Sequence, residues 1–248
     1  MEVSPVSRAR NKNQGIMIRY LVVFGAVLAA ACMPMARAGI EDNFDGPDGL
    51  ITAEGQPPNG PWLVTSGSLF RQDGAGWTGK PDMVTGSEVF RMVSLERDFN
   101  DVTVSMSLRV DDLSTTRRTP EQDYDGAHIW VRYESDRELY AVSVDRRDDT
   151  MIIKKKCPGG TDNGGTYYDL NGNVPASIPF GAWQNVMVSV QDQPDGSVKI
   201  TASRDGVSME ATDAGVGCAP LRGGGVGIRG DNAELRFAKF VVQPLEGM

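Results

Sequence analysis

The chain has 248 residues, of which 40% are hydrophobic and 23% charged, and its formal net charge at pH 7 is −8. A negative field of this size makes nucleic acid an unfavourable partner. The sequence contains no Cys/His spacing of a zinc site, no phosphate-binding loop and no nucleophile elbow, which excludes the protein classes that these motifs define.

The N-terminal segment has the features of a secretory signal peptide. Residues 1–38, with Met17 as the expected start codon, contain a basic stretch, an apolar core at Leu21–Ala31 and the cleavage pattern Ala36-Arg37-Ala38. The apolar core is too short to span a membrane. We therefore expect a secreted protein, extracellular or periplasmic. A lipoprotein signal, with the lipid on Cys32, is the alternative.

The remaining residues, 39–248, are predicted to form one all-β domain. Without residues 1–38 the chain loses five basic and one acidic side chain, so its net charge changes from −8 to −12. Short alternating runs are separated by nine Asp-Gly or Asn-Gly pairs, which are typical of β-turns. The pattern favours a monomeric two-sheet antiparallel β-sandwich of jelly-roll type. Four of the predicted strands are Trp62–Phe70, Asn185–Gln191, Ser197–Ser203 and Glu234–Val242.

The run Asp101–Val110 is predicted to be a strand with two different faces. Its valine, methionine and leucine residues alternate with Thr103, Ser105, Ser107 and Arg109. Because successive side chains of a strand point to opposite faces, the second set faces away from the core. We expect Arg109 to contribute to a polar binding face.

The next two strands form a predicted hairpin that carries the chain's only histidine. Gly126–Ser135 and Glu138–Asp145 flank Asp136-Arg137, which suits a two-residue turn. A turn at that position pairs His128 with Asp145 across the hairpin. The side chains predicted to share this polar face are His128, Trp130, Arg132 and Asp145. An imidazole opposite a carboxylate, beside an aromatic ring and a cation, indicates a functional site.

A third strand, Thr150–Lys156, extends the same face. A turn at Asp148-Asp149 places Lys154 beside Ser143, with Lys156 on the same side. Lys154, Lys156 and Arg132 then form a basic cluster in an acidic protein. The cluster indicates an anionic ligand held locally, and a solvated charged strand is the alternative.

Two cysteines remain after cleavage of the signal peptide. An even count in an exported chain predicts a disulfide between Cys157 and Cys218. The Gly-rich segment Pro158–Pro179 is predicted to be a long loop, either functional or mobile.

One short motif lies at the opening strand and several others lie in the C-terminal part of the chain. They are Asp42-Asn43-Phe44-Asp45-Gly46, Phe180-Gly181-Ala182-Trp183-Gln184, Pro194-Asp195-Gly196, Asp205-Gly206 and Gly225-Val226-Gly227-Ile228-Arg229. Together they resemble the concanavalin A-like lectin/glucanase group. The resemblance implies a jelly roll whose concave face handles a polysaccharide or oligosaccharide. Lectins, binding modules, hydrolases and lyases share this fold, so it does not select an activity.

Among these activities, the site resembles polysaccharide lyases that act on uronate polymers by β-elimination. The resemblance implies that His128 is the base, that Tyr167 or Tyr168 is the acid, and that Arg132 and Lys154 neutralise the substrate carboxylate. Trp130 suits stacking against a sugar ring. A non-catalytic carbohydrate-binding protein stays open as the alternative.

Glu134-Ser135-Asp136-Arg137-Glu138 matches the E-x-D-x-E spacing of laminarinase-like hydrolases, which need two carboxylates on one face. The polar residues between the acids and the expected hairpin predict a turn instead, so hydrolysis is the third possibility.

Two further motifs lie before the last strand. Asp231 and Asn232, together with Asp42 or Asp45, offer oxygen ligands for Ca²⁺. Arg229-Gly230-Asp231 is predicted to form a Gly-rich turn.

Overall fold

The computed structural model describes residues 39–80 and 88–245, and within these ranges it contains seventeen β-strands. The strands are β1 (Ile40–Asp42), β2 (Gly49–Ala53), β3 (Trp62–Ser66), β4 (Ser68–Gln72), β5 (Ala75–Trp77), β6 (Val89–Ser94), β7 (Val102–Leu113), β8 (Gly126–Ser135), β9 (Glu138–Arg146), β10 (Thr150–Asp162), β11 (Gly165–Asp169), β12 (Val174–Pro175), β13 (Gln184–Asp192), β14 (Val198–Arg204), β15 (Val207–Asp213), β16 (Gly225–Asp231) and β17 (Ala233–Pro244).

The strands form two antiparallel sheets that pack face to face. One sheet has nine strands in the order β15-β14-β13-β7-β17-β5-β4-β2, with β1 beside β17. The other has eight strands in the order β11-β10-β9-β8-β16-β6-β3, with β12 beside β10. The prediction of an all-β, two-sheet jelly roll is confirmed.

The inner faces of the two sheets enclose one main apolar core. In β7, residues 102–110 alternate strictly between buried and partly exposed side chains, with Val102 and Val104 fully buried. The prediction that Arg109 faces away from the core is therefore confirmed. A buried ion pair between Lys155 and Asp213, with an N–O distance of 2.8 Å, lies between the sheets. The predicted disulfide between Cys157 and Cys218 is also present.

Two predicted elements have a different structure. Trp62–Phe70 is two strands, because the chain turns at Gly67, where φ is 75°, and passes from one sheet to the other. The predicted loop Pro158–Pro179 is largely strand, since β10 continues to Asp162 and returns as β11. Asn163 and Gly164, between them, both have positive φ, as a tight type I′ hairpin turn requires.

The predicted signal peptide and Cys32 lie outside the described residues. Within residues 39–80 and 88–245, no helix is long and apolar enough to cross a membrane.

Candidate functional site

A pocket lies on the outer face of the eight-stranded sheet. Its volume is about 460 Å³, which falls within the range of small-molecule sites. The side chains of β8, β9, β10, β11 and β16 line its base, and Thr161, Asp162 and Asn163 of the β10–β11 hairpin line one side. The exposed Tyr124 also lines the pocket.

His128 lies in this pocket, but its partners differ from the prediction. Its Nδ1 atom is 2.8 Å from Ser143 Oγ, and its Nε2 atom is 3.2 Å from Asp231 Oδ2. Burial lowers the pKa of His128, although Asp231 acts in the opposite direction. The neutral imidazole therefore lies between a hydroxyl, to which Nδ1 is hydrogen-bonded, and a carboxylate.

The predicted pairing of His128 with Asp145 is wrong. The hairpin turn is where the sequence placed it, because Ser135 pairs with Glu138. Irregularities between Val131 and Ser135 then shift the register by two residues, so His128 pairs with Ser143.

A second irregularity changes the direction of Asp145. One extra residue of β9, Val144, lies between the partners of Ala127 and His128. The two residues of a bulge disrupt the alternation of side chains. Asp145 is fully buried, where Arg204 Nη1 and Gln184 Nε2 donate hydrogen bonds to it. It does not take part in the pocket.

Arg132 is also misplaced by the prediction. It has a φ of 49° and a fully buried side chain that does not line the pocket. Its guanidinium lies 2.7 Å from Asp192 Oδ1 and 3.1 Å from Asp101 Oδ1, and it donates to the Leu221 carbonyl. The close passage of Gly224 permits this bulge, since a Cβ there would lie 2.6 Å from the carbonyl carbon of Arg132. Arg132 therefore links β8 to the segments that contain Asp101, Asp192 and Leu221.

Two more predicted residues lie elsewhere. Arg109 is on the outer face of the nine-stranded sheet, where it pairs with Asp111 and packs 5.2 Å from the ring centroid of Trp183. Tyr168 contacts the segment around Gly217 and does not line the pocket.

Lys154, Lys156 and Tyr167 do line the pocket, as predicted. The register of β9 with β10 is shifted by two residues, because Lys154 pairs with Ala141 and not with Ser143. Lys154 Nζ forms an ion pair of 3.1 Å with the exposed Asp169. Lys156 Nζ lies 4.9 Å from the ring centroid of Tyr167 and donates to the Asp136 carbonyl. Whether these side chains bind a ligand stays a prediction.

Trp130 forms the aromatic part of the pocket. Its ring stacks on Tyr133 with centroids 5.2 Å apart, and it packs in a small apolar cluster with Val93, Leu139 and Ala141. Only 2% of the residue is exposed, and its indole Nε1 has no hydrogen-bond partner in the part of the chain that the structure describes. A bound ligand with an oxygen acceptor would satisfy this N–H group.

The sequence analysis did not assign Arg229 and Asp231 to the site. The predicted turn is wrong, because Arg229-Gly230-Asp231 lies within β16, beside His128. Burial opposes ionisation of Asp231, but the charge of Arg229 and the His128 hydrogen bond outweigh it, so its pKa lies well below its usual range. Arg229 and Asp231 are separated by one residue, so on a strand both side chains lie on the same face. This alternation was the sequence signal that could have assigned them to one site.

The E-x-D-x-E segment forms the tip of the β8–β9 hairpin, as predicted. Asp136 and Arg137 are the turn residues. Asp136 accepts hydrogen bonds from Tyr133 Oη at 2.7 Å and Arg91 Nη1 at 2.9 Å.

The residues proposed for Ca²⁺ do not form a cluster. Asp231 is bound by Arg229 and His128, whereas Asp42 accepts hydrogen bonds from Trp62 Nε1 and the Phe44 amide. Asn232 donates to the Pro120 carbonyl. Across residues 39–80 and 88–245, no group of three or more His, Cys, Asp and Glu side chains is placed to hold a metal ion. These residues do not fit the predicted calcium site.

Comparison with solved structures identifies the class of fold as the lectin-type jelly roll. The carbohydrate-binding module CBM66 from Bacillus subtilis is similar, with a TM-score of 0.53 and 12% identity over 74% of this chain and 95% of that one. The VIP36 exoplasmic/lumenal domain, in a form bound to Ca²⁺ and Man3GlcNAc, has a TM-score of 0.52 and 11% identity over 80% and 89% of the two chains.

The resemblance to the concanavalin A-like fold is therefore confirmed. A comparison with protein-family models finds no match, and a search of curated proteins finds no significant match. At these identities the similarity establishes the fold, and the activity has to be argued from the site.

Proposed function

We propose that the protein is an exported carbohydrate-binding protein that holds a sugar in the pocket of the eight-stranded sheet. The observation that carries this proposal is the combination of a buried indole with an unpartnered N–H and a surrounding set of polar side chains. Sugar rings present C–H faces that pack on aromatic rings and hydroxyls that hydrogen-bond to nearby polar groups. The structural likeness to CBM66 and to the Man3GlcNAc-bound VIP36 domain supports the same function.

A binding role suits the site better than β-elimination. A lyase base must reach a proton on the substrate, but Nδ1 of His128 faces Ser143 and its Nε2 faces Asp231. The candidate acid Tyr168 is outside the pocket.

A binding role also suits the site better than glycoside hydrolysis. Retaining and inverting hydrolases both need a carboxylic acid of raised pKa opposite a second carboxylate. Among the described residues, the carboxylates that line the pocket are Asp162 and Asp231, and the pKa of Asp231 is lowered. Glu134 and Glu138 flank the hairpin turn.

Export is part of the proposal. The apolar segment and cleavage pattern of residues 1–38 support it, and the disulfide between Cys157 and Cys218 is compatible with an oxidising compartment.

The test is a glycan array probed with the purified protein and with two variants, Tyr124→Ala and Trp183→Ala. We expect selective binding that Tyr124→Ala reduces at least fivefold, because Tyr124 lines the pocket and is 45% exposed, so its removal spares the core. Trp183→Ala is the matched control, since Trp183 is equally exposed at 45% but lies by the other sheet. Absence of binding across the array would overturn the proposal. An unsaturated product absorbing near 235 nm from a uronate polymer would show a lyase instead.

A further inference from the structure

The pocket contains buried hydrogen-bond donors that no group of the described residues satisfies. One is Nε1 of Trp130 and another is Nη1 of Arg146, a residue that is 6% exposed. The other nitrogens of Arg146 are bound to Asp148, with distances of 3.0 Å from Nε and 2.5 Å from Nη2. A buried donor without an acceptor costs free energy, so both groups favour a ligand that supplies oxygen acceptors.

The ammonium group of Lys156 has no acidic partner. Within residues 39–80 and 88–245, no carboxylate oxygen lies within 4 Å of its Nζ atom, whose contacts are the Asp136 carbonyl and the Tyr167 ring. Burial and the charges of Arg229 and Arg91 lower the pKa of Lys156 to about 8, although Asp136 and Asp162 act in the opposite direction. A nearby anion would stabilise this charge.

The pocket brings several cationic side chains together in an acidic protein. Four lining side chains, Arg146, Lys154, Lys156 and Arg229, are cationic, whereas Asp162 and Asp231 are anionic. The whole chain carries a net charge of −8. Arg146 is paired with Asp148, Lys154 with Asp169 and Arg229 with Asp231. Among the described residues, Lys156 is therefore the cation of the pocket that a bound anion would neutralise.

We infer that the pocket selects a sugar that carries an acid group, either a carboxylate or a sulfate, and seats that group against Lys156, Arg229 and the free N–H groups of Arg146 and Trp130. This inference rests on the proposed carbohydrate binding and names its substrate class. Arg229 approaches the face of Trp130, with 6.0 Å between its Cζ atom and the ring centroid, so the cation and the indole are adjacent.

The test uses pairs of polymers that differ only in the acid group. β-1,4-Glucuronan oligosaccharides are compared with cello-oligosaccharides, which carry a hydroxymethyl group in place of the carboxylate, and dextran sulfate is compared with dextran. We expect at least tenfold tighter binding of the acidic member of one pair at 50 mM NaCl, and a smaller difference at 500 mM NaCl. The pair that shows the preference identifies the acid group.

Substitution at Lys156 then locates the preference. Lys156→Gln should lower the affinity for the acidic polymer at least tenfold, while Lys156→Arg restores most of it. The control is Lys199→Gln, because Lys199 pairs with Glu210 on the other sheet. Equal affinity for acidic and neutral members, or an unchanged preference in a folded Lys156→Gln protein, would overturn the inference and leave carbohydrate binding intact.

A measurement on the unaltered protein avoids dependence on folding of a variant. Since Lys156 loses its proton as the pH rises through about 8, affinity for the acidic polymer should fall between pH 7 and pH 9. A constant affinity over that range would contradict the assignment of the acid group to Lys156. If neither member of either pair binds while another glycan on the array does, this inference fails and the proposed carbohydrate binding stands.

Discussion

The outer faces of the two sheets have similar sequence patterns but different surroundings. On the nine-stranded sheet, Thr103, Ser105 and Ser107 alternate regularly with core residues and remain partly exposed. On the eight-stranded sheet, the outward-facing His128 and Trp130 are 5% and 2% exposed. Neighbouring side chains and the β10–β11 hairpin enclose them, whereas β7 has an open outer face.

The difference shows that a polar second face does not by itself indicate a site. Arg109 lies on the open face, where it forms an ion pair with Asp111 and packs against the ring of Trp183. In the pocket, donors of Trp130 and Arg146 are buried without partners. The enclosure of His128 and Trp130 distinguishes the two faces, and the buried donors beside them would gain an acceptor from a bound ligand.

The largest expected effect is on the free energy of unfolding, and it distinguishes two arginines that the sequence analysis assigned to the same site. Arg132→Met should lower the free energy of unfolding by about 3 kcal/mol, because its guanidinium is fully buried between Asp101 and Asp192. Arg109→Met should cost less than about 1 kcal/mol, since its ion pair is partly exposed. Urea unfolding of both variants measures the difference. Equal losses of unfolding free energy in the two variants would show that the buried ion pairs of Arg132 do not stabilise the fold.

The next largest effect is on glycan affinity, and it distinguishes Trp130 from Trp183, which lies by the other sheet. Trp130→Phe keeps an aromatic ring but removes the unpartnered N–H, so glycan affinity should fall about tenfold, or about 1.4 kcal/mol. Trp183→Phe should leave affinity unchanged. Isothermal titration with a glycan identified on the array checks both values. An undiminished affinity in Trp130→Phe would exclude the indole N–H as a binding group.

A pH effect tests the burial of the histidine. Burial lowers the pKa of His128, so the unfolded chain takes up this proton at a higher pH than the folded protein. Stability should therefore fall as the pH drops below about 6.5, with a slope of at most about 1.4 kcal/mol per pH unit from this residue. The measurement is urea unfolding at pH 7 and pH 5, with His128→Asn as the comparison. A wild-type loss no greater than that of the variant would show that His128 is protonated in the folded state.

The smallest effect concerns the exposed side of the pocket. Lys154 already pairs with Asp169, and its side chain is 25% exposed, so Lys154→Gln should change stability by less than about 1 kcal/mol. Its effect on glycan affinity should be about threefold or less at 50 mM NaCl and should vanish at 500 mM NaCl. A loss of affinity as large as that of Lys156→Gln would show that the acid group binds closer to Lys154, at the rim of the pocket.

The sequence predicted the fold and only part of the site, for a reason that β7 and β8 make clear. In β7 the alternation continues without a bulge through residues 102–110, so the face of each residue could be deduced from the period of two. In β8 and β9, bulges near Arg132 and Val144 interrupt that period. Each side chain beyond a bulge loses the expected face or partner, and this is how Asp145 and Arg132 were misassigned.

The sequence analysis missed Tyr124, Arg146 of β9, and Arg229 and Asp231 of β16. The two β16 residues show the reason most clearly. The pairing of β16 with β8 connects chain positions about one hundred residues apart, such as His128 and Arg229. Local patterns do not reveal the order of strands in a sheet, so they could not place Arg229 and Asp231 beside His128.

The most direct test of the account follows the indole N–H resonances of the tryptophans by ¹⁵N–¹H NMR during titration with an acidic oligosaccharide that the polymer pairs identify. Trp62 Nε1 already donates to Asp42, and Trp77 Nε1 donates to Glu234. Trp130 Nε1 has no partner and lines the pocket. We expect the Trp130 signal to shift markedly, while those of Trp62, Trp77 and Trp183 stay in place. A saturable shift of the Trp183 signal with an unmoved Trp130 signal would contradict the account, because it would place the glycan on the other sheet.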